Sequence, residues 1–173
     1  MKLKEIEIID TPQDIYDCFN GFILSQDTKV FGKLLARTLL MQQVKDLPGD
    51  IVECGVFKGT GMLSFLKLKR YLCPNSGKKV IGFDFFNSQN LIDSLSGQDK
   101  EAMSTLFDKR EYKHKADQFE KFKNMIAGFG FQEHEFELIQ GDIAKTARQY
   151  VQSRPGFRIS LLYLDLDLDI PTY

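Results

Sequence analysis

The sequence predicts a doubly wound α/β domain with a parallel sheet of about four strands, preceded by a helical extension. Short apolar runs alternate with helical patterns after residue 48, and a glycine-rich turn follows the first run. Strands that are apolar throughout and separated by helices are typical of a parallel sheet covered on both faces. The predicted strands cover residues 50–54, 79–83, 136–139 and 159–164.

Two helices are predicted before the first strand, within an extension that covers residues 1–47. The first begins at Thr11 and Pro12, because proline is well tolerated in the first turn of a helix. The second covers about residues 28–45 and ends before Pro48 and Gly49. Residues 48–173 form the sheet domain. Apolar residues at helical spacing form a stripe on each helix: Ile15, Phe19, Phe22 and Ile23 on the first, and Phe31, Leu34, Leu35 and Leu39 on the second.

Three further helices are predicted between the strands. They cover residues 61–72, 114–127 and 143–151, and the second of them carries Phe119, Phe122 and Ile126 on one side. A long polar insert over residues 87–113 separates the second strand from that helix, and no element is predicted within it.

Composition excludes several classes of function. The 173 residues form one domain, and the net charge of −1 gives no general attraction to nucleic acid or to an anionic membrane. No apolar stretch reaches the roughly 20 residues that cross a bilayer. The three cysteines, Cys18, Cys54 and Cys73, are odd in number and lack Cys-x-x-Cys spacing. They indicate reduced thiols and a cytoplasmic protein, without a disulfide framework or a zinc site.

The glycine-rich turn is the strongest candidate for a binding site. Residues 52–61 read V-E-C-G-V-F-K-G-T-G, so the chain leaves a strand, turns at Gly55 and enters a helix near Gly59. The start of that helix offers N–H groups to a ligand, and ligands of open α/β sheets bind at the carboxyl ends of the strands. A ligand-free turn between strand and helix is the alternative.

Acidic residues at the ends of three strands favour a ligand. Glu53 directly precedes Cys54 and Gly55, Asp84 ends the second strand, and Asp142 follows the third. The spacing G-x-x-x-G-x-G differs from the G-x-G-x-x-G of dinucleotide-binding folds. With Glu53 it resembles motif I of the class I S-adenosylmethionine-dependent methyltransferases, whose fold is Rossmann-like. This resemblance implies six cofactor-binding residues: Glu53, Gly55, Gly59, Thr60, Asp84 and Asp142. It implies that Asp84 accepts hydrogen bonds from the ribose hydroxyls and that Asp142 lies beside the adenine.

Two longer stretches are similar to the macrocin O-methyltransferase family. They are P-G-D-I-V-E-C-G-V-F-K-G at residues 48–59 and I-S-L-L-Y-L-D-L-D-L-D-I-P-T at residues 159–172. The resemblance implies S-adenosylmethionine, a magnesium ion and a hydroxyl acceptor on a sugar or another small natural product. Asp165 and Asp167 fall on the family's Asp-x-Asp, so both are predicted metal ligands, with Asp167 the first choice. The alternative is a polar strand exit with solvent-facing acids.

The similarity also predicts an incomplete domain. Asp169 and Ile170 depart from the family's tyrosine and glutamate, and the family's second pair of metal-binding acids follows a fifth strand, beyond the position of Tyr173. The metal site is therefore predicted to be partial. The fourth strand is predicted to be an exposed edge through which the chain associates with itself.

Other residue types give weaker signals, and no catalytic residue is identified. His134 is predicted to lie on the surface and His114 at an exposed helix start, while Cys54 is a small buried residue. Lys67, Lys69 and Arg70 are interpreted as the solvated face of a helix. An NAD(P)-dependent oxidoreductase and a non-catalytic cofactor-binding module remain as alternatives to the methyltransferase.

Overall fold

A computed structural model describes residues 11–109 and 118–166 of the chain. Its centre is a sheet of four parallel strands in the order β3-β2-β1-β4. The predicted α/β class is confirmed, and each predicted strand is present within one residue at either end. The strands are β1 (Asp50–Cys54), β2 (Val80–Asp84), β3 (Phe136–Gln140) and β4 (Ile159–Leu164).

Seven helices accompany the sheet in the part of the chain that the structure describes. The helices α1 and α2 begin at caps that the sequence carries, since Thr11 and Asp27 each accept a hydrogen bond from the first turn of their helix. The bounds are α1 (Pro12–Ile23), α2 (Thr28–Val44), α3 (Thr60–Leu72), α4 (Ser88–Ser94), α5 (Gly97–Lys109), α6 (Phe119–Gly128) and α7 (Ile143–Gln152).

Two apolar clusters cover opposite faces of the sheet. On one face, Ile51 of β1 packs with Met41 of α2, Phe65 of α3 and Phe122 of α6. On the other face, the alternate β1 residues Val52 and Cys54 pack with β2 and with α7. This alternation follows from the pleat of a strand, in which successive side chains point to opposite faces.

The polar insert contains two helices that the sequence analysis did not predict. Helices α4 and α5 lie within residues 88–109, where they form a small separate cluster around Met103 and Phe107. The helical pattern of apolar residues is weak in α5, because the helix has few of them and they pack in the separate cluster. The helix predicted over 114–127 is present as α6, which begins at Phe119, and its first predicted residues lie outside the described ranges.

The two N-terminal helices turn much of their apolar stripes toward solvent. Half or nearly half of the surface of Phe19 in α1 and of Leu34 and Leu35 in α2 is exposed. An amphipathic stripe usually faces a core, but here the buried residues of α2 are Arg37, Met41 and Val44, none of which belongs to the predicted stripe. No residue of α1 is buried.

The prediction that the basic cluster of α3 forms a solvated face is wrong for one of its three residues. Lys69 is 5% exposed, and its Nζ atom lies 3.6 Å from Glu135 Oε1. Arg70 lies over the ring of Phe131 at 3.8 Å from the centroid and donates a hydrogen bond to the Gly130 carbonyl. These two side chains therefore join α3 to the segment before β3. Lys67 and Arg70 are exposed, as predicted, whereas Lys69 is buried.

The amino ends of the strands are joined by a buried lysine. Lys78 is 6% exposed, and its Nζ atom donates to the carbonyl of Gly49, to the hydroxyl of Ser160 and to the carbonyl of Leu47. A shallow surface depression lies beside it. The glycine-rich turn lies at the opposite edge of the sheet.

No helix among the described residues is long and apolar enough to cross a membrane.

Candidate cofactor site at the carboxyl edge of the sheet

The glycine-rich turn joins β1 to α3 at the carboxyl edge of the sheet. Gly55 has φ 91° and Gly59, which caps α3, has φ 82°, so both lie in the left-handed region that favours glycine. Phe57 between them also has a positive φ, of 50°, which is uncommon for a residue with a side chain. Backbone strain of this kind is often found at ligand sites.

Contacts within the protein explain why three positions of this turn are glycine. A Cβ atom at Gly55 would lie 2.3 Å from the carbonyl oxygen of Asp165, and one at Gly59 would lie 1.9 Å from the Phe122 ring. At Gly61 it would lie 1.9 Å from Glu53 Oε1. The glycines are therefore required by the packing of the turn itself, in addition to any ligand.

Asp84 stabilises the turn from the end of β2. Its Oδ2 atom accepts hydrogen bonds from the backbone N–H groups of Val56 at 2.7 Å and Phe57 at 2.8 Å. Its Oδ1 atom accepts one from Phe86 at 2.9 Å. Each carboxylate oxygen has two lone pairs, so Oδ1 retains acceptor capacity toward a ligand. The hydrogen bonds from ribose hydroxyls to Asp84 stay a prediction. The carboxylate already holds the turn through its bonds to the backbone when no ligand is bound.

Glu53 lies inside the protein beneath the first turn of α3. It is 1% exposed, and burial raises its pKa to about 8, because a carboxylate loses its hydration there. The guanidinium of Arg37 lies 3.7 Å from Glu53 Oε1 and opposes this rise. Arg37 comes from α2, and its side chain is only 7% exposed.

Asp165, at the end of β4, belongs to the same charged cluster. Its carboxylate lies 3.2 Å from Lys33 Nζ and 3.5 Å from an Nη atom of Arg37. Its backbone N–H donates to the Cys54 carbonyl, which brings it against the Gly55 turn. We define Arg37, Lys33, Glu53 and Asp165 as the carboxyl-edge ion cluster.

The ion cluster does not fit the predicted magnesium site. Two cationic side chains already pair with Asp165, whereas Mg²⁺ prefers several oxygen ligands in an octahedral shell. Asp167, the first-choice ligand, lies outside the described residues. Over residues 11–109 and 118–166, no group of three or more acidic, histidine or cysteine side chains could hold a metal ion.

The other predicted cofactor residues lie at the same edge. Thr60 is the first residue of α3 and is exposed, next to the buried Gly59. Asp142 caps α7: its Oδ1 atom accepts a hydrogen bond from Ala144 N–H at 3.0 Å, and Lys145 lies 3.5 Å from its other oxygen. Its half-buried carboxylate follows β3, beyond Asp84 in the order of the strands.

Sequence reasoning missed Arg37 and Lys33. A signal was present, since α2 carries Lys29, Lys33 and Arg37 on successive turns and has no acidic residue to pair with them. Partners outside the helix were therefore to be expected, and the acids at the strand ends were available. The predictions for two other residues are confirmed: His134 is exposed, and Cys54 is buried with its pKa raised to about 11 by burial. His114 lies outside the described residues.

The carboxyl edge fits a polar cofactor in part. Arg37 Nε and Glu53 Oε2 are buried polar atoms that find no hydrogen-bond partner among the described residues, although most such atoms in proteins have one. The exposed Phe57 donates its backbone N–H to Asp84 Oδ2, and the exposed Thr60 begins α3 three residues later. Phe86, which follows Asp84 by two residues, is buried against Phe122 in the core.

Comparison with known proteins finds related solved structures. The apo structure of CalS11, a TDP-rhamnose 3′-O-methyltransferase and an enzyme in calicheamicin biosynthesis, has a TM-score of 0.58 and 26% sequence identity; the match covers 94% of this chain and 62% of that one. A crystal structure of CalS11 calicheamicin methyltransferase has a TM-score of 0.55 and 23% identity, with coverage of 95% and 72%. No protein-family model and no curated protein matches the sequence. The chain thus has the Rossmann-like fold of a methyltransferase and spans 62% of the length of the first of these structures.

Proposed function

We propose that this chain is an S-adenosylmethionine-dependent O-methyltransferase, or the cofactor-binding part of one. The observation that carries the proposal is its likeness to CalS11 over 94% of the chain, with the glycine turn and the strand-end acids at one edge of the sheet. The acceptor in the proposal is a hydroxyl group of a sugar or another small natural product, in keeping with the substrate that the CalS11 description names. The narrower assignment to the macrocin type stays a prediction.

The chain's residues would divide the cofactor between them. Asp84 has the acceptor capacity to bind ribose hydroxyls, and Asp142 lies further along the same edge, at the end of β3, on the side proposed for the adenine. Gly55, Gly59 and Thr60, with the buried Glu53, would form the floor beneath the amino-acid end. The cofactor, when bound, supplies a methyl group on a sulfonium centre. We leave magnesium out of the proposal, because Asp165 is paired with Lys33 and Arg37.

Replacement of Asp84 tests the cofactor site. We expect Asp84→Ala to weaken binding of S-adenosylhomocysteine by about 1–3 kcal/mol, the usual loss for hydrogen bonds to a charged group. Titration calorimetry measures it. Asp84→Asn is the matched control: its one amide oxygen can still accept from part of the turn, so its affinity should lie between the two. Equal affinities in all three proteins would contradict the assignment.

A ligand comparison separates methyltransferase from oxidoreductase. S-adenosylhomocysteine should raise the melting temperature of the wild-type chain, because a ligand that binds only the folded state stabilises it. NAD should leave it unchanged, since the turn lacks the dinucleotide spacing. A shift with NAD alone would favour the oxidoreductase. Methyl transfer to a sugar hydroxyl by the whole protein would then separate an enzyme from a non-catalytic binding module.

We also propose that two copies of the chain associate through β4. This strand lies at the edge of the described sheet, and Leu162 and Leu164 are 52% and 46% exposed. An apolar edge strand pairs readily with another chain. The three cysteines are free thiols, which suits the reducing cytoplasm that we propose as the compartment. The proposal includes no nucleic-acid or membrane partner.

A further inference from the structure

Helix α2 reaches the carboxyl edge of the sheet through one buried side chain. Arg37 is 7% exposed, and its guanidinium lies between two carboxylates, at 3.7 Å from Glu53 and 3.5 Å from Asp165. It also lies over the ring of Tyr163, 4.9 Å from the centroid. A planar guanidinium can stack on a ring and bind carboxylates at once, which an ammonium group cannot do equally well.

We call the space at the carboxyl ends of the strands, between the Gly55 turn and the first turn of α3, the cofactor crevice. Each of the two carboxylates contacts a different part of it. Glu53 Oε1 lies 1.9 Å from the position that a Cβ of Gly61 would take, directly under the first turn of α3. Asp165 places its backbone against Gly55 and is hydrogen-bonded to the carbonyl of Cys54. Movement of either acid would therefore move the turn or the start of the helix.

We propose that Arg37 is a positioning residue of the cofactor crevice, which holds Glu53 under α3 and Asp165 against the Gly55 turn. The inference rests on the proposed function, because the crevice is taken to bind the cofactor. It assigns the N-terminal helix α2 a part in shaping the site, although the sequence pattern predicts residues 1–47 as an extension outside the cofactor-binding domain. The unpartnered Nε of Arg37 and Oε2 of Glu53 lie in the same place and leave polar capacity toward a bound molecule or water.

Three variants test the role of Arg37. Arg37→Met removes the charge and keeps much of the apolar stem, Arg37→Lys keeps the charge without the planar group, and Lys29→Met is the matched control at an exposed position of the same helix. We expect Arg37→Met to raise the dissociation constant of S-adenosylhomocysteine at least about tenfold. Arg37→Lys should recover part of that loss, and Lys29→Met should bind like wild type. A folded Arg37→Met with wild-type affinity would overturn the proposal.

Removal of Arg37 alone leaves the buried Glu53 without its cation, so the single variant can fail to fold. The double variant Arg37→Met/Glu53→Gln removes the cation together with the titratable group of its buried partner. It is compared with Glu53→Gln alone: weaker binding by the folded double variant than by Glu53→Gln supports the proposal, and equal affinity of the two contradicts it.

Amide hydrogen exchange without cofactor distinguishes this inference from the proposed function. In Arg37→Lys we expect the amides of Val56 and Phe57 to exchange faster, while those of Ile81 and Leu138 in the sheet stay unchanged. Uniform acceleration would indicate general destabilisation and would contradict a positioning role. If wild type binds no S-adenosylhomocysteine, the proposed function fails, and exchange confined to the crevice would still show that Arg37 holds the turn.

Discussion

The strands β2 and β4 lie on either side of β1, and both are largely apolar, but their side chains differ sharply in burial. On one side, β2 is enclosed, and Val80 and Ile81 have no exposed surface. On the other side, β4 reads I-S-L-L-Y-L, yet Ile159, Leu162 and Leu164 are 43–52% exposed. The register places Leu162 beside Val52 and Leu164 beside Cys54, on the face that α7 covers over β2. An apolar strand is thus buried only where a helix lies over it.

Paired truncations should show the largest difference between the two strands. We expect Ile81→Ala to cost about 2–5 kcal/mol of unfolding free energy, because it opens a cavity in close-packed core. Leu162→Ala should cost under about 1 kcal/mol, because water already reaches the side chain. Urea unfolding of both variants measures this. Similar losses would mean that β4 is covered in solution.

The buried Glu53 of β1 should make the unfolding free energy of the domain depend on pH. Folding raises the pKa of Glu53 from 4.5 to about 8, so the folded state holds a proton that the unfolded state releases between these values. The resulting stabilisation is complete below about pH 4.5 and is lost as the pH rises through about 8. We expect the loss to be on the order of a few kcal/mol relative to Glu53→Gln. Urea unfolding at several pH values measures it.

The control for this experiment is Asp46→Asn, which replaces an exposed acid that is paired with its neighbour Lys45. It should follow the wild-type pH profile. A wild-type profile parallel to that of Glu53→Gln would show that Glu53 keeps an ordinary pKa, and that Arg37 offsets the burial.

Self-association of the chain should depend on the exposed strand β4. Leu162→Lys places a charge on β4, and charged side chains are a common protection of edge strands. We expect light scattering to show a lower average mass for this variant than for wild type. Tyr71→Lys is the control, since Tyr71 is 86% exposed at the end of α3. A monomeric wild type, or an equal effect of the control, would contradict association through β4.

The smallest effect that we expect is the binding of Mg²⁺ to the chain. Asp165 is paired with Lys33 and Arg37, so we expect weak binding of Mg²⁺ or none in titration calorimetry. A tight, saturable site that is lost in Asp167→Asn would show that Asp167, outside the described residues, completes a metal centre after all.

Local sequence patterns accounted for most of the elements. Apolar runs located all four strands, and Thr11 with Pro12 marked the start of α1. The patterns failed in the insert, where α5 has few apolar residues and packs with its neighbour α4 in a small separate cluster. Periodicity reports which residues share one side of an element, and the turn residues report where it ends.

The sequence by itself determined the α/β class, the position of the glycine turn and the placement of Glu53, Asp84 and Asp142 at strand ends. These depend on periodicity, turn residues and the common direction of parallel strands. Only the tertiary structure decided that Arg37 is buried while Leu34 and Leu35 of the same helix are exposed. It also decided that the Asp84 carboxylate stabilises the turn. Burial and pairing depend on groups that lie far apart in the chain, and a local pattern contains no information about which of them meet.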